Sequence, residues 1–153
     1  SRYVKFRYFF EKIRNESITE ETVAKLASDF SKIMLTLLIN PALLINDSLS
    51  FIKQQTSQYK MHIVSGSDGS ELRKICDGLN ISKYFLSIMG SPTPKKELVK
   101  NLIAQQAYNK KEIIFIGDSI NDLEAATFNQ LDFAGYNNIA LKKNGSFYIE
   151  SFT

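Results

Sequence analysis

The spacing of apolar residues changes character near residue 60. Before it, apolar positions recur at helical intervals: Phe6, Phe9, Phe10 and Ile13, then a stretch from Ile18 to Leu38, then Leu43 to Ile52 after Pro41. The middle stretch opens with Ser17, Thr19, Glu20, Glu21 and Thr22, the hydroxyls and acids that cap a helix start. Beyond residue 60, short apolar runs alternate with helical patterns. Strands are predicted near 61–65, 84–89, 113–117, 131–135 and 146–150, and helices near 69–79, 95–107 and 121–128. Strand, helix, strand at this spacing implies parallel pairs joined by right-handed crossovers. The expected class is therefore α/β with a parallel sheet. Residues 1–45 read as a preceding helical segment and 46–153 as the core, entered through a helix over 46–58.

Composition adds limits rather than direction. At 153 residues, 44% hydrophobic and 23% charged, the chain is long enough for one core with a small insertion. The net charge of +3 is mild, and the basic pairs Lys95-Lys96, Lys110-Lys111 and Lys142-Lys143 flank helices and turns. No basic stripe interleaved with aromatics is present, so nucleic acid is not an expected partner. No apolar run approaches the ~18 residues needed to span a bilayer, and no signal-peptide pattern is seen, so a membrane is not expected either. The single Cys76 lies on an apolar helical face, which excludes a disulfide within the chain and suits a buried thiol in a reducing cytoplasm. The aromatic-rich start, Tyr3, Phe6, Tyr8, Phe9 and Phe10, is expected to pack, and His62, inside a predicted strand, is expected to be a satisfied core histidine.

The chemistry concentrates at three strand ends. Ile113 to Ile116 is an apolar run of the kind found in a strand buried on both faces, and it stops at Gly117-Asp118-Ser119-Ile120-Asn121-Asp122. Asp118 would leave the strand end and Asp122 would enter the next helix, so two carboxylates converge at a carboxyl edge, where open α/β sheets bind ligands. Two hard oxygen donors there suit Mg²⁺. The plainer reading is that Asp118 or Ser119 merely caps the helix. Upstream, the run His62-Ile63-Val64-Ser65 precedes Gly66-Ser67-Asp68-Gly69-Ser70, so Ser65 and Gly66 can offer a hydroxyl and backbone N–H groups to a phosphate. Asp68 and Glu71 have capping-box spacing and are expected to organise the helix. Lys95 opens another helix, where a cation is misplaced against the macrodipole unless something negative holds it. It is the candidate to neutralise a phosphoryl group, with Lys96 the runner-up.

The order HIVSGSDGSELRKICDGLNISKYF, GSPTPKKELV, IIFIGDSINDLEAA resembles the haloacid dehalogenase-like hydrolase superfamily, near its phosphoglycolate-phosphatase-like members. Ser65 matches the family's strand-end hydroxyl, Lys95 its lysine, and Asp118 with Asp122 its acidic pair. The resemblance implies a Rossmann-like three-layer α/β/α core preceded by a helical cap segment. It also implies Mg²⁺-assisted phosphoryl transfer through an aspartyl-phosphate, with a small phosphorylated metabolite as substrate.

One departure stands against these matches. The family's first motif, DxDx(T/V) at the end of an N-terminal strand, carries the nucleophile, and this chain contains no Asp-x-Asp. It opens Ser1-Arg2-Tyr3-Val4, already within what resembles the cap, so the expectation is a core lacking its first strand and a chain inactive alone. In the family that strand lies between the two ending at Ser65 and at Gly117. The sheet is accordingly expected to be completed by an N-terminal segment or a second chain, or to close by rearrangement. A non-catalytic interaction module is the alternative; a phosphoacceptor receiver domain fits less well, because its acids belong on early strands.

Overall fold

The computed structural model describes residues 2–144 and 147–152. The parts of the expected elements that fall on Ser1, Gly145, Ser146 and Thr153 lie outside the described residues.

Helix α1 (Arg2–Tyr8) runs on into a π-helical turn over Phe9–Ile13, and α2 (Glu20–Leu38) follows. Thr19 caps α2, its Oγ1 accepting from the Thr22 N–H at 3.1 Å. The aromatic start packs only in part. Phe6 meets Phe30 edge-on with ring centres 6.3 Å apart, whereas Tyr3, Tyr8 and Phe9 are exposed and α1 buries no residue. Apolar residues on several faces of one short helix cannot all meet a single neighbouring helix. A 3₁₀ turn at Pro41–Leu43 and α3 (Asn46–Gln55) then lead into the core.

The core runs β1 (His62–Asp68), α4 (Gly69–Gly78), β2 (Ser87–Ser91), α5 (Lys95–Gln106), β3 (Ile114–Gly117), α6 (Ile120–Asn129), β4 (Asp132–Tyr136) and β5 (Phe147–Ile149). Two strand boundaries differ from the sequence reading. The second strand begins at Ser87 because Ser82–Tyr84 close a 3₁₀ turn first. The first strand does not end at Ser65; it goes on to Asp68 through a bulge, covering Val64 to Asp68 while β2 advances only from Met89 to Ser91. Bulges of this kind re-aim the chain beside functional sites.

Every strand pair is parallel, as expected, but the strands form two sheets, β1-β2 and β3-β4-β5. Among the described residues no strand lies between β1 and β3, and these two do not pair with each other, so neither completion nor closure of the sheet is seen. One helical layer keeps the halves in place: α5 rests on β1 and β2, α6 on β3 and β4, and α5 packs along α6. Val99, Ala126, Leu131, Phe133 and Leu141 form the buried core, and Val64 from one half and Phe115 from the other pack against it. The unpaired strand edges do not carry the full cost of buried polar groups, since Ile114 and Ile116 beside them are 53% and 40% exposed.

His62 is satisfied as expected, with Nδ1 2.7 Å from Ser87 Oγ and Nε2 2.9 Å from the Tyr108 hydroxyl. Burial, and then the nearby Lys60 charge, lower its pKa. Cys76 is buried, which raises its thiol pKa. No helix among the described residues is long and apolar enough to cross a membrane.

Candidate active site

The bulged part of β1 and the amino ends of α5 and α6 meet around a cavity of about 300 Å³, whose described lining does not include Ser65, Asp118 or Asp122. Gly66 lines it from the β1 side; Pro94, Lys95 and Lys96 line it from α5; Asn121, Glu124 and Ala125 line it from α6. The two halves of the core meet here.

Lys95 is the first residue of α5 and Asp122 lies in the first turn of α6, and the Nζ of the one is in hydrogen-bond contact with Oδ1 of the other. Both are mostly shielded from solvent, the side chains 16% and 8% exposed. The cation that opens α5 against its macrodipole is thus held by an acid from the neighbouring helix. Lys96 points elsewhere, its ammonium 5.0 Å from the Phe128 ring centre. Of the two candidate lysines, Lys95 is the one joined to the acidic pair.

The other oxygen of Asp122 is taken as well. Oδ2 accepts from the Ser119 N–H at 3.1 Å and from the Ser119 hydroxyl at 2.6 Å, and Ser119 Oγ in turn faces the Asp122 N–H at 3.3 Å. This is a capping box for α6. Of the two candidate caps, Asp118 and Ser119, it is Ser119 that caps the helix; Asp122 completes the box and adds the lysine contact. Gly117 makes the geometry possible: a Cβ there would lie 2.3 Å from Asp122 Cβ.

Asp118 is exposed, and its side chain makes no hydrogen bond or ion pair among the described residues. Its carbonyl accepts from Asn138 Nδ2 at 2.7 Å, which fixes the turn after β3. No group of three or more His, Cys, Asp or Glu is placed to hold a metal among the described residues. What fits Mg²⁺ is the single free carboxylate of Asp118, since this ion keeps several waters and takes one or two protein carboxylates. Asp122 already accepts from Lys95 on one oxygen and from Ser119 on the other, so it has fewer lone pairs left to offer a cation.

Across the cavity, Ser65 Oγ accepts from the Ser67 N–H at 3.1 Å, and Gly66 is exposed at the bulge. Asp68 caps α4, its Oδ1 accepting from the Ser70 and Glu71 N–H groups at 3.0 Å each. The Glu71 side chain does not close a capping box; Arg2 binds it with both Nη atoms at 2.5 Å, and the Ser31 hydroxyl contacts it too. Burial pushes the Glu71 carboxyl up, but the bonds from Arg2 and Ser31 outweigh it, and its pKa is lowered. The helical segment is thereby tied to the helix that follows the Ser65 loop. Gly90 of β2 supports that loop closely: a Cβ there would stand 2.4 Å from Ser67 O.

Three positioning residues escaped the sequence reading. Asn129 is buried and donates to Lys96 O and Ala125 O at 2.9 Å each, fastening α6 to the start of α5. Asn138 holds the Asp118 turn, and Arg2 reaches Glu71 over a separation that no local pattern reveals. Asn138, directly before the 3₁₀ turn Ile139–Asn144 and accepting from the Ala140 N–H, was the one with a usable signal.

A family model described as haloacid dehalogenase-like hydrolase matches residues 3–136. Among solved structures, a HAD-superfamily hydrolase from Ehrlichia chaffeensis is similar at 25% identity over 72% of this chain and 54% of that chain, with a TM-score of 0.62. This chain thus spans little more than half the length of that relative. A predicted phosphoglycolate phosphatase from Haemophilus somnus aligns over 98% of this chain and 72% of its own at 19% identity and a TM-score of 0.78. A β-phosphoglucomutase from Clostridium difficile aligns over 99% and 71% at 18% identity and the same TM-score of 0.78. No curated protein matches the sequence.

Proposed function

We propose a function that starts from one premise: the chain belongs to the haloacid dehalogenase-like hydrolase family. Its residues form the phosphate-holding and charge-balancing part of a phosphate-monoester hydrolase, and the nucleophile comes from outside this chain. The contact of Lys95 with Asp122 beside the Gly66 cavity carries the reading, because it sets a shielded cation at the joint of the two core halves. Residues 1–45 serve as the cap and 46–153 as the catalytic core, and the buried thiol of Cys76 suits a cytoplasmic setting.

In this reading the Ser65 hydroxyl and the Gly66 N–H bind oxygens of the transferring phosphoryl group of a small metabolite, and Lys95 balances its negative charge. A carboxylate oxygen forms a bond to phosphorus as the ester P–O bond breaks, and the leaving oxygen takes a proton from water. Water then attacks the acyl phosphate, releasing inorganic phosphate and restoring the carboxylate. Mg²⁺, held by Asp118, would draw charge from the phosphoryl oxygens. Asp122 keeps Lys95 in place.

The test is p-nitrophenyl phosphate hydrolysis with Mg²⁺, paired with calorimetry of Mg²⁺ and inorganic phosphate. This chain alone is expected to show no turnover, weak Mg²⁺ binding removed by Asp118→Ala, and phosphate binding weakened by Lys95→Met. Turnover abolished by Asp118→Asn would place the nucleophile inside the chain and overturn this assignment. A second reading, a non-catalytic interaction module, is favoured by one observation: both oxygens of Asp122 are already engaged. Absence of any Mg²⁺ or phosphate binding would select it.

A further inference from the structure

We infer that Tyr136, held by Asp47, is a positioning residue for the acidic turn, so that the mount of the helical segment and the placement of Asp118 are set by one joint. The helical segment enters the core through α3, and none of the residues of α3 is buried. Side-chain ties must therefore fix where this helix lies. At its carboxyl end Thr56 Oγ1 donates to Tyr84 O at 3.2 Å. At its amino end Asp47 gathers more. One carboxylate oxygen accepts from the Tyr136 hydroxyl at 3.1 Å, both accept from the Phe152 N–H at 3.1 Å, and Ser151 Oγ stands 3.5 Å from the other. The Phe152 ring lies against Phe51 of α3 and against Tyr136, with centres 4.6 and 4.9 Å apart. α3, β4 and the segment after β5 thus converge on a single carboxylate. Burial, and then the bond to Asp47, raise the Tyr136 pKa, so the phenol keeps the proton it donates.

Tyr136 can transmit this hold because of where β4 ends. Gly117 pairs with Gly135 at the last rung of the β3–β4 ladder, so Asp118 and Tyr136 leave that ladder side by side. Side chains alternate along a strand: Phe133 joins the core under α5 and α6, and Tyr136 faces the other way, toward α3. The chain after Tyr136 is short of slack. Asn137 turns at φ 57°, in the left-handed region, and Asn138 then donates from Nδ2 to Asp118 O at 2.7 Å. A shift of Tyr136 is passed through two residues to the Asp118 carbonyl. The Lys95–Asp122 contact is insulated from it, since α5 and the capping box of α6 hold that pair. The joint therefore reaches Asp118 and spares the charge pair.

The experiment uses the whole chain with Tyr136→Phe, Asp47→Ala and Asp47→Asn. Tyr136→Phe keeps the ring stack and removes only the hydroxyl. Calorimetry reads Mg²⁺ and inorganic phosphate separately. NMR reads exchange at the Asn138 side-chain amide and at the Leu49 N–H, which is bonded to Ile45 O at 3.0 Å in the first turn of α3. That Asp118 holds Mg²⁺ rests on the proposed function; the joint does not. Tyr136→Phe is expected to weaken Mg²⁺ binding about tenfold, the low end for a group that orients a metal ligand, and to leave phosphate binding within about twofold. The two exchange sites are expected to quicken together. Asp47→Ala is expected to act likewise, and Asp47→Asn to recover most of the effect, because its amide oxygen still accepts. Tyr136→Phe/Asp47→Ala is expected to be no worse than Asp47→Ala alone, as for two members of one interaction.

Equal loss of Mg²⁺ and phosphate binding would mean general loosening and overturn the inference. Faster exchange at only one of Asn138 and Leu49, or additive losses in the double variant, would overturn it too. If Asp118→Ala leaves Mg²⁺ binding unchanged, the metal assignment of the proposed function fails, and the joint stands or falls on whether the two exchange sites respond together. Mg²⁺ binding abolished by Asp118→Ala but indifferent to Tyr136→Phe and Asp47→Ala would do the reverse, sparing the proposed function and refuting the joint.

Discussion

The two halves of the core are built to different standards. Of the strands, only β4 buries residues fully, and the buried residues Ala125, Ala126, Leu131, Phe133, Ala134 and Leu141 belong to the β3-β4-β5 half. In β1 and β2 no residue is fully buried. The Ser65 loop thus hangs on the looser half and the acidic turn on the tighter one. Lys95, reaching from α5 to α6, and Asn129, reaching back to the Lys96 carbonyl, span the division. Binding elements taken from a loose and a rigid half can close on a ligand without disturbing the core that positions the charge.

The comparison breaks first on packing. Phe133→Ala should cost about 3–5 kcal/mol, because it empties a site with little room to collapse. Ile63→Ala or Met89→Ala on the other half should cost under about 2 kcal/mol, since a half-buried side chain has less area to lose. Equal costs in urea unfolding would erase the distinction. Gly117→Ala comes next, at about 3 kcal/mol, because the new methyl meets Asp122 Cβ and overpacks the turn. It should also weaken phosphate binding, which calorimetry would read.

Lys95→Met should cost about 2 kcal/mol by leaving a buried Asp122 oxygen without its donor. Lys96→Met should cost less than about 1 kcal/mol, the worth of a cation–π contact at most. The reverse order would mean that the halves are joined through Lys96.

The smallest effects are those of pH. Glu71 has its folded pKa below the ordinary 4.5, so its stabilisation is complete above 4.5 and is lost as pH falls through the lowered value. Glu71→Gln should flatten that acid limb and loosen α1, seen as faster amide exchange in residues 2–8. His62 is also depressed from 6.5, so stability falls as pH drops from 6.5 toward its folded pKa. His62→Asn should remove that slope, and a slope unchanged in the variant would assign it elsewhere.

The alternation of strands and helices from β1 to α6 was legible because each element carries its own period and its own cap, Asp68 and Ser119 included. Lys95 was legible for an electrostatic reason, a cation at the wrong end of a helix. Its partner was harder. Two acids four apart suggest two metal ligands, yet Asp122 turns both oxygens toward Ser119 and Lys95, and only the tertiary approach of α5 to α6 decides this. The place of the division, between β1 and β3, was implied by the resemblance; that the two edges would neither be completed nor close was not, since strand pairing is non-local and each strand reads the same whether one edge or two are used. The same holds for the bulge that carries β1 past Ser65.

The Arg2–Glu71 pair also has a mechanical meaning. Arg2 lies at the amino end of α1, while Glu71 lies in the first turn of α4, directly after the bulged loop that presents Ser65 and Gly66. A pull or a bulky fusion applied at the amino terminus would thus be delivered through one guanidinium to the loop, bypassing the long path through α2 and α3. Residue 2 is a handle on the phosphate loop, and a single-molecule tether attached there would report the loop's rupture force before that of the core.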